Sequence, residues 1–111
     1  MSLASEELSD RVRDMLARYR TVSEKKMFGG RCFMLSGNML VCPLKEGGLL
    51  VRVGKDSYDE SLALPGAQVV SMGTKTMGGF VEVTGDVLED DDVLSDWIER
   101  ARAFVTTLPP K

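Results

Sequence analysis

Two cysteines are the candidate nucleophiles in this sequence. Cys32 and Cys42 flank a turn sequence, and the chain of 111 residues contains no histidine. A catalytic cysteine acts as a thiolate that a neighbouring base usually activates, and two thiolates alone cannot complete a four-ligand zinc site. We therefore expect no enzymatic activity, no cofactor and no bound metal. For the cysteines themselves, two small buried side chains and a redox pair are both open interpretations.

Two further motifs resemble binding loops, but each lacks a required feature. The acidic run of residues 89–92 could suggest calcium, yet it lacks the alternating ligands and the glycine of a calcium loop. Acids near the start of a helix interact favourably with its dipole, so the run predicts a helix capped by Asp90 or Asp91. Gly29 and Gly30 could cradle a phosphate only if a helix followed them. They precede a strand-like apolar segment, which favours a bulge or a close backbone approach.

The elements that would position these residues predict an α+β fold. Apolar residues recur at helical spacing near both ends of the chain, and shorter runs rich in apolar residues lie between them. The expected architecture has two layers: an antiparallel sheet of about five strands with helices on one face, in the order α-β3-α-β2-α. Helices are predicted over residues 5–20, 57–62 and 91–108, strands over 21–27, 32–35, 39–42, 49–53 and 80–84, a strand or extended loop over 67–72, and a glycine-rich loop over 73–79.

The predicted hairpin of residues 32–42 is apolar on both faces. A three-residue turn at 36–38 would place Cys32 opposite Cys42, whereas a two-residue turn at Gly37 and Asn38 would place Phe33 there. One face must lie under the helices. The other face would be covered by a partner chain or would remain a binding surface.

Charge is distributed unevenly along the chain, whose net charge is −3. Residues 11–31 contain seven bases and two acids, whereas residues 82–99 contain eight acids and no base. Two solvated helical faces of opposite sign, facing one another, would explain this pattern. A basic patch for nucleic acid is the alternative, and its candidate residues are Arg11, Arg18, Lys25 and Lys26.

Several short motifs along the chain resemble those of one protein family. They are Met27-Phe28-Gly29-Gly30, Gly37-x-Met39, Met77 before the strand that begins at Phe80, and Val87-Leu88-Glu89-Asp90 leading into a helix with Trp97. Together they resemble the N-terminal domain of the TfoX/Sxy competence regulators over roughly residues 5–107. The resemblance implies a fold similar to secretion chaperones and a role in assisting a transcription regulator. It implies no catalytic residue and no cofactor.

These observations together predict one cytoplasmic domain over residues 1–111. We expect a non-catalytic regulatory domain that binds a protein partner, with a homodimer as another use of the second apolar face and no membrane association. The alternative is a nucleic-acid-binding module that uses the basic residues 11–31. The motif residues proposed for interaction are Met27, Phe28, Gly29, Gly30, Arg31, Gly37, Met39, Met77 and Phe80.

Overall fold

The computed structural model describes residues 3–19, 21–27, 30–44, 48–72 and 75–109. An antiparallel sheet of six strands carries three α-helices on one face, which confirms the predicted α+β class and the two-layer arrangement. The helices are α1 (Leu3–Leu16), α2 (Tyr58–Leu62) and α3 (Asp91–Val105), and a 3₁₀ helix spans Asp86–Glu89. The strands are β1 (Val22–Met27), β2 (Gly30–Leu35), β3 (Asn38–Pro43), β4 (Leu49–Arg52), β5 (Ala67–Met72) and β6 (Lys75–Val83).

The sheet differs from the sequence-based expectation in its number of strands. Four strands precede α2, at the four segments predicted individually over residues 21–27, 32–35, 39–42 and 49–53, so the predicted order α-β3-α-β2-α counted one strand too few. The segment Ala67–Met72, ambiguous in sequence, is strand β5, and β6 begins at Lys75, within the predicted glycine-rich loop. The order across the sheet is β1-β2-β3-β4-β6-β5, so β1 and β5 are its two edges. Pairing with a neighbouring strand stabilises these segments beyond their local propensity.

The hairpin of β2 and β3 has a different turn from both sequence-based predictions. Its two turn residues are Ser36 and Gly37, with φ of 51° and 84°, which corresponds to a type I′ turn. Leu35 therefore pairs with Asn38. The register then shifts by one residue, so that Phe33 pairs with Val41 and Leu40 is the extra residue of a bulge. The shift brings the two cysteines side by side, as the three-residue turn would have done.

The core between the helices and the sheet is apolar and closely packed. Leu8, Val12 and Leu16 of α1 are buried at the spacing that the sequence pattern predicts, and α3 contributes a second buried stripe. Asp90 caps α3, because its carboxylate accepts a hydrogen bond from the backbone amide of Asp92 at 2.9 Å. The acidic run thus includes a helix cap, as predicted. No helix in the described ranges is long and apolar enough to cross a bilayer.

A buried asparagine joins the hairpin to the C-terminal end of the chain. Asn38 is almost fully buried, and its side-chain amide donates a hydrogen bond to the Pro109 carbonyl oxygen at 2.9 Å. This contact links the start of β3 to the segment that follows α3. A buried amide needs such a partner, because an unsatisfied polar group in the interior is destabilising.

Candidate functional site

Two of the four residues of the predicted basic patch are neutralised by ion pairs. Arg11 of α1 donates a hydrogen bond to the Asp91 carboxylate of α3 at 2.7 Å. The Arg18 guanidinium lies 3.6 Å from the carboxylate of Glu99, which is also in α3. The prediction that the basic and acidic faces meet is therefore confirmed for these two elements. Of the four patch residues, only Lys25 and Lys26 make no ion pair among the described residues. They lie exposed on the edge strand β1.

A second ion-pair group joins α1 to the first two strands. Glu24 of β1 accepts two hydrogen bonds from the Arg13 guanidinium, each at 2.8 Å, and Arg31 of β2 approaches it at 3.5 Å. The hydrogen bonds from Arg13 lower the pKa of Glu24 and raise the pKa of Arg13. Arg31, one of the predicted interaction residues, is thus held within this group rather than presented alone to solvent.

The remaining motif residues do not converge on one site. Met27 pairs with Gly30 where β1 meets β2, and Phe28 and Gly29 lie outside the described residues. Gly37 lies in the hairpin turn and Met77 lies in β6. Met39 and Phe80 do share a location, since both side chains pack against an apolar cluster on the sheet face opposite the helices.

That cluster, which we call the second cluster, consists of strand residues and of Leu44, which follows β3. Its buried members are Cys32, Cys42, Leu50 and Val70, and its half-buried rim consists of Met34, Met39, Leu44 and Phe80. The predicted second apolar face therefore exists, but its centre is already buried by the chain itself. Methionine side chains at such a rim adapt readily to different partners.

The cysteines occupy the middle of the second cluster, and no disulfide bond joins them in the described structure. A side-chain hydrogen bond with Cys42 lowers the pKa of Cys32. The same hydrogen bond and burial raise the pKa of Cys42. Both side chains have no solvent exposure, which matches the interpretation of small buried side chains. Among the described residues, no cluster of three or more cysteines and carboxylates could hold a metal ion.

The two edge strands of the sheet differ in charge, which affects whether another strand can pair with them. Strand β1 carries Glu24, Lys25 and Lys26, and charged side chains on an edge oppose pairing with another strand. Strand β5 has the sequence Ala-Gln-Val-Val-Ser-Met, without a charged residue or a proline. Its Val69 is 49% exposed and is the one exposed large hydrophobic residue in the described part of the chain.

The β5 edge was not among the residues singled out by sequence reasoning. Its uncharged composition was visible, but an edge strand can be recognised only when the strand order is known. Strand β5 follows α2 in the chain and pairs on one side with β6. The other side has no strand beside it within the described structure.

Comparison with known proteins identifies one family. A family model described as the TfoX N-terminal domain matches residues 14–105. A search of curated proteins gave no match. The matched span runs from within α1 to the end of α3, so it includes the whole sheet and both of its edges.

Proposed function

Because the chain belongs to the TfoX N-terminal domain family, we propose that it is a non-catalytic protein-interaction domain that assists transcriptional regulation of competence genes. It acts through a protein partner rather than by chemistry of its own. The absence of histidine from the sequence and the burial of both thiols support the non-catalytic part of the proposal.

The observation that carries the proposal is the open β5 edge. A strand at the edge of a sheet has backbone N–H and C=O groups directed away from the sheet, and an extended segment of another protein can pair with them. The uncharged side chains of β5 impose no charge repulsion on such a segment. The proposed occupant is therefore an extended strand of the partner protein, which would pair as a seventh strand of the sheet.

Side chains near this edge supply apolar contacts for the added strand. Val69 is exposed on β5, and Phe80 is half-buried on the neighbouring β6. Backbone pairing supplies affinity in strand addition, whereas pockets between alternate side chains supply selectivity. A partner segment with apolar residues at alternate positions fits this surface best.

Nucleic-acid binding through residues 11–31 has weaker support. Arg11, Arg13, Arg18 and Arg31 are all engaged with carboxylates, and a phosphate would have to compete with those ion pairs. Lys25 and Lys26 remain exposed, but two lysines form a small electrostatic surface. Any such binding would weaken steeply as salt increases.

The test uses the full chain with one charge added to either edge. Val69→Lys places a lysine on the open β5 edge, and Ser23→Lys places the same residue on the charged β1 edge as the matched control. Proteins captured from the source organism by the wild-type chain are identified, and the affinity of each purified candidate is measured by calorimetry for all three chains. A reporter of competence-gene transcription gives the cellular result.

We expect one transcription regulator to bind the wild-type chain and the Ser23→Lys chain equally, with at least tenfold weaker binding to Val69→Lys. Reporter output should fall only with Val69→Lys. Equal binding by all three chains would refute the role of the β5 edge. A wild-type dimer that Val69→Lys converts to monomer, seen by light scattering without any regulator bound, would assign the edge to a second copy of the chain instead.

A further inference from the structure

Among the described arginines, Arg52 is the one that forms no ion pair. The other described arginines, namely Arg11, Arg13, Arg18, Arg31, Arg100 and Arg102, each form an ion pair. Arg52, the last residue of β4, has no carboxylate within ion-pairing distance among the described residues. Its guanidinium carbon lies instead 5.6 Å from the ring centre of Phe80 and 5.7 Å from that of Phe104. Two aromatic contacts hold the cation in place, with no carboxylate of the described residues close enough to form an ion pair.

This arrangement leaves the hydrogen-bonding capacity of Arg52 unused. A guanidinium has five N–H donors in its plane, and they match the geometry of a carboxylate or a phosphate. In the described structure Arg52 contributes contacts to two rings and no side-chain hydrogen bond to the protein. A half-buried cation with free donors is a common way to recognise an anion.

Arg52 lines a surface cavity of ≈ 290 Å³ at the end of β4. The other lining residues are Gly54, Lys55, Asp56, Gly79, Phe80 and Phe104. The walls therefore combine two aromatic rings with two cations and one carboxylate, which leaves a net positive charge. This volume approaches the range of small-molecule sites, which are mostly apolar with a few oriented polar groups.

The floor of the cavity is fixed by a close approach of two backbones. The Gly79 carbonyl oxygen accepts hydrogen bonds from the amides of Val53 at 2.8 Å and Gly54 at 3.0 Å. A Cβ atom on Gly54 would lie 2.3 Å from the Phe104 ring, so only glycine leaves that ring in its place as a wall. The cavity is thus shaped by β4, β6 and α3 together.

We propose that this cavity, which we call the Arg52 cavity, binds a small aromatic anion. The anionic group, a carboxylate or a phosphate, accepts hydrogen bonds from the Arg52 guanidinium, with Lys55 adding positive charge at the rim. The planar part of the ligand packs against Phe80 and Phe104. No residue of β5 lines this cavity, so the domain would have a small-molecule site besides its protein-binding edge.

The experiment titrates the isotopically labelled full chain with benzoate, phenyl phosphate and the neutral analogue benzamide, and follows the backbone amide signals by NMR. We expect saturable shifts of the Gly54 and Gly79 amides with the anions, and at least tenfold weaker binding of benzamide. Tighter binding of benzoate would identify a carboxylate ligand, and tighter binding of phenyl phosphate a phosphate ligand.

Three variants separate recognition from folding. Arg52→Gln should lower anion affinity at least tenfold, and Arg52→Lys, which keeps the charge but loses the planar donors, should also weaken it. Arg100→Gln is the matched control, because Arg100 also contacts an aromatic ring, that of Trp97, but is paired with Glu60. Its anion affinity should equal that of the wild-type chain.

The proposal is overturned if neither anion gives saturable shifts at Gly54 and Gly79, or if benzamide binds as tightly as benzoate. It is also overturned if both Arg52 variants keep wild-type affinity. Should Arg52→Gln fail to fold, Arg52→Lys and the wild-type titrations decide the question alone. None of these measurements depends on a protein partner, so their result is independent of the β5 edge.

Discussion

Replacing Gly54 with alanine should destabilise the protein through two separable effects. Gly54 follows β4 with a φ of +82°, where an L-residue is destabilised by about 1–2 kcal/mol. The added Cβ would also lie 2.3, 2.5 and 2.8 Å from three carbons of the Phe104 ring, so the ring must move. Removing a buried phenylalanine side chain lowers the free energy of unfolding by about 3–5 kcal/mol. The Phe104 ring is half-buried and is displaced rather than removed, so its displacement should lower the free energy of unfolding by roughly 1–2 kcal/mol. The expected total is about 2–4 kcal/mol.

A double-mutant cycle measures the two effects separately. Urea unfolding gives the free energy of unfolding for the wild-type chain, Gly54→Ala, Phe104→Ala and the double variant. With the ring removed, Gly54→Ala should cost only the backbone strain of about 1–2 kcal/mol, so the coupling energy should be roughly 1–2 kcal/mol. The control is Gly85→Ala, whose φ is +91° and whose Cβ would meet no atom within 4 Å. Gly85→Ala should therefore show no coupling to Phe104→Ala.

Equal costs of Gly54→Ala in the two backgrounds would refute the steric part of this reasoning. A cost well below 1 kcal/mol in the wild-type background would refute the strain part as well. Because the ring also forms a wall of the Arg52 cavity, the same variant should weaken anion binding if that proposal is correct.

Two further substitutions test the ion pair of β1 and the hairpin turn. Glu24→Gln should lower the free energy of unfolding at neutral pH by about 0.5–1 kcal/mol, since a partly exposed ion pair contributes little. The folded-state pKa of Glu24 lies below its unfolded value, so this stabilisation is present above about pH 4.3 and is lost as the pH falls through the folded-state pKa. Unfolding monitored by circular dichroism from pH 7 to pH 3 should therefore show a steeper loss of stability for the wild-type chain, and parallel curves would contradict the assignment. Ser36→Asn should raise the free energy of unfolding by roughly 0.5–1 kcal/mol, because Ser36 has a φ of 51° and asparagine tolerates that conformation better. Urea unfolding would measure the gain, and an unchanged or lower value would count against the type I′ turn.

Much of the fold could be predicted from local patterns. The periodicity of Leu8, Val12 and Leu16 indicated α1, and the acidic run before α3 indicated a cap at Asp90 or Asp91, of which the structure has Asp90. These signals are local, because helix periodicity and capping involve residues within a few positions of each other. The family motifs from Met27 to Trp97 also lay in the sequence, and the match over residues 14–105 confirms the family they indicated.

The tertiary structure decided which distant side chains meet. The bulge at Leu40 set the register that brings Cys32 beside Cys42, although neither predicted turn was correct. The ion pair of Arg11 with Asp91 joins residues 80 positions apart. Together with the pair of Arg18 and Glu99, it neutralises two of the four residues of the predicted basic patch.

The two proposed binding surfaces depend on such long-range contacts. Strand β5 is an open edge only because β6, not β5, pairs with β4. Arg52, Phe80 and Phe104 come from three separate elements, and none of them is distinctive within its own segment. Sequence patterns report which face of an element is buried, because that depends on local spacing. Strand order and the packing of α3 on the sheet involve the whole chain, so they alone determined where an uncompensated charge and an unpaired edge would lie.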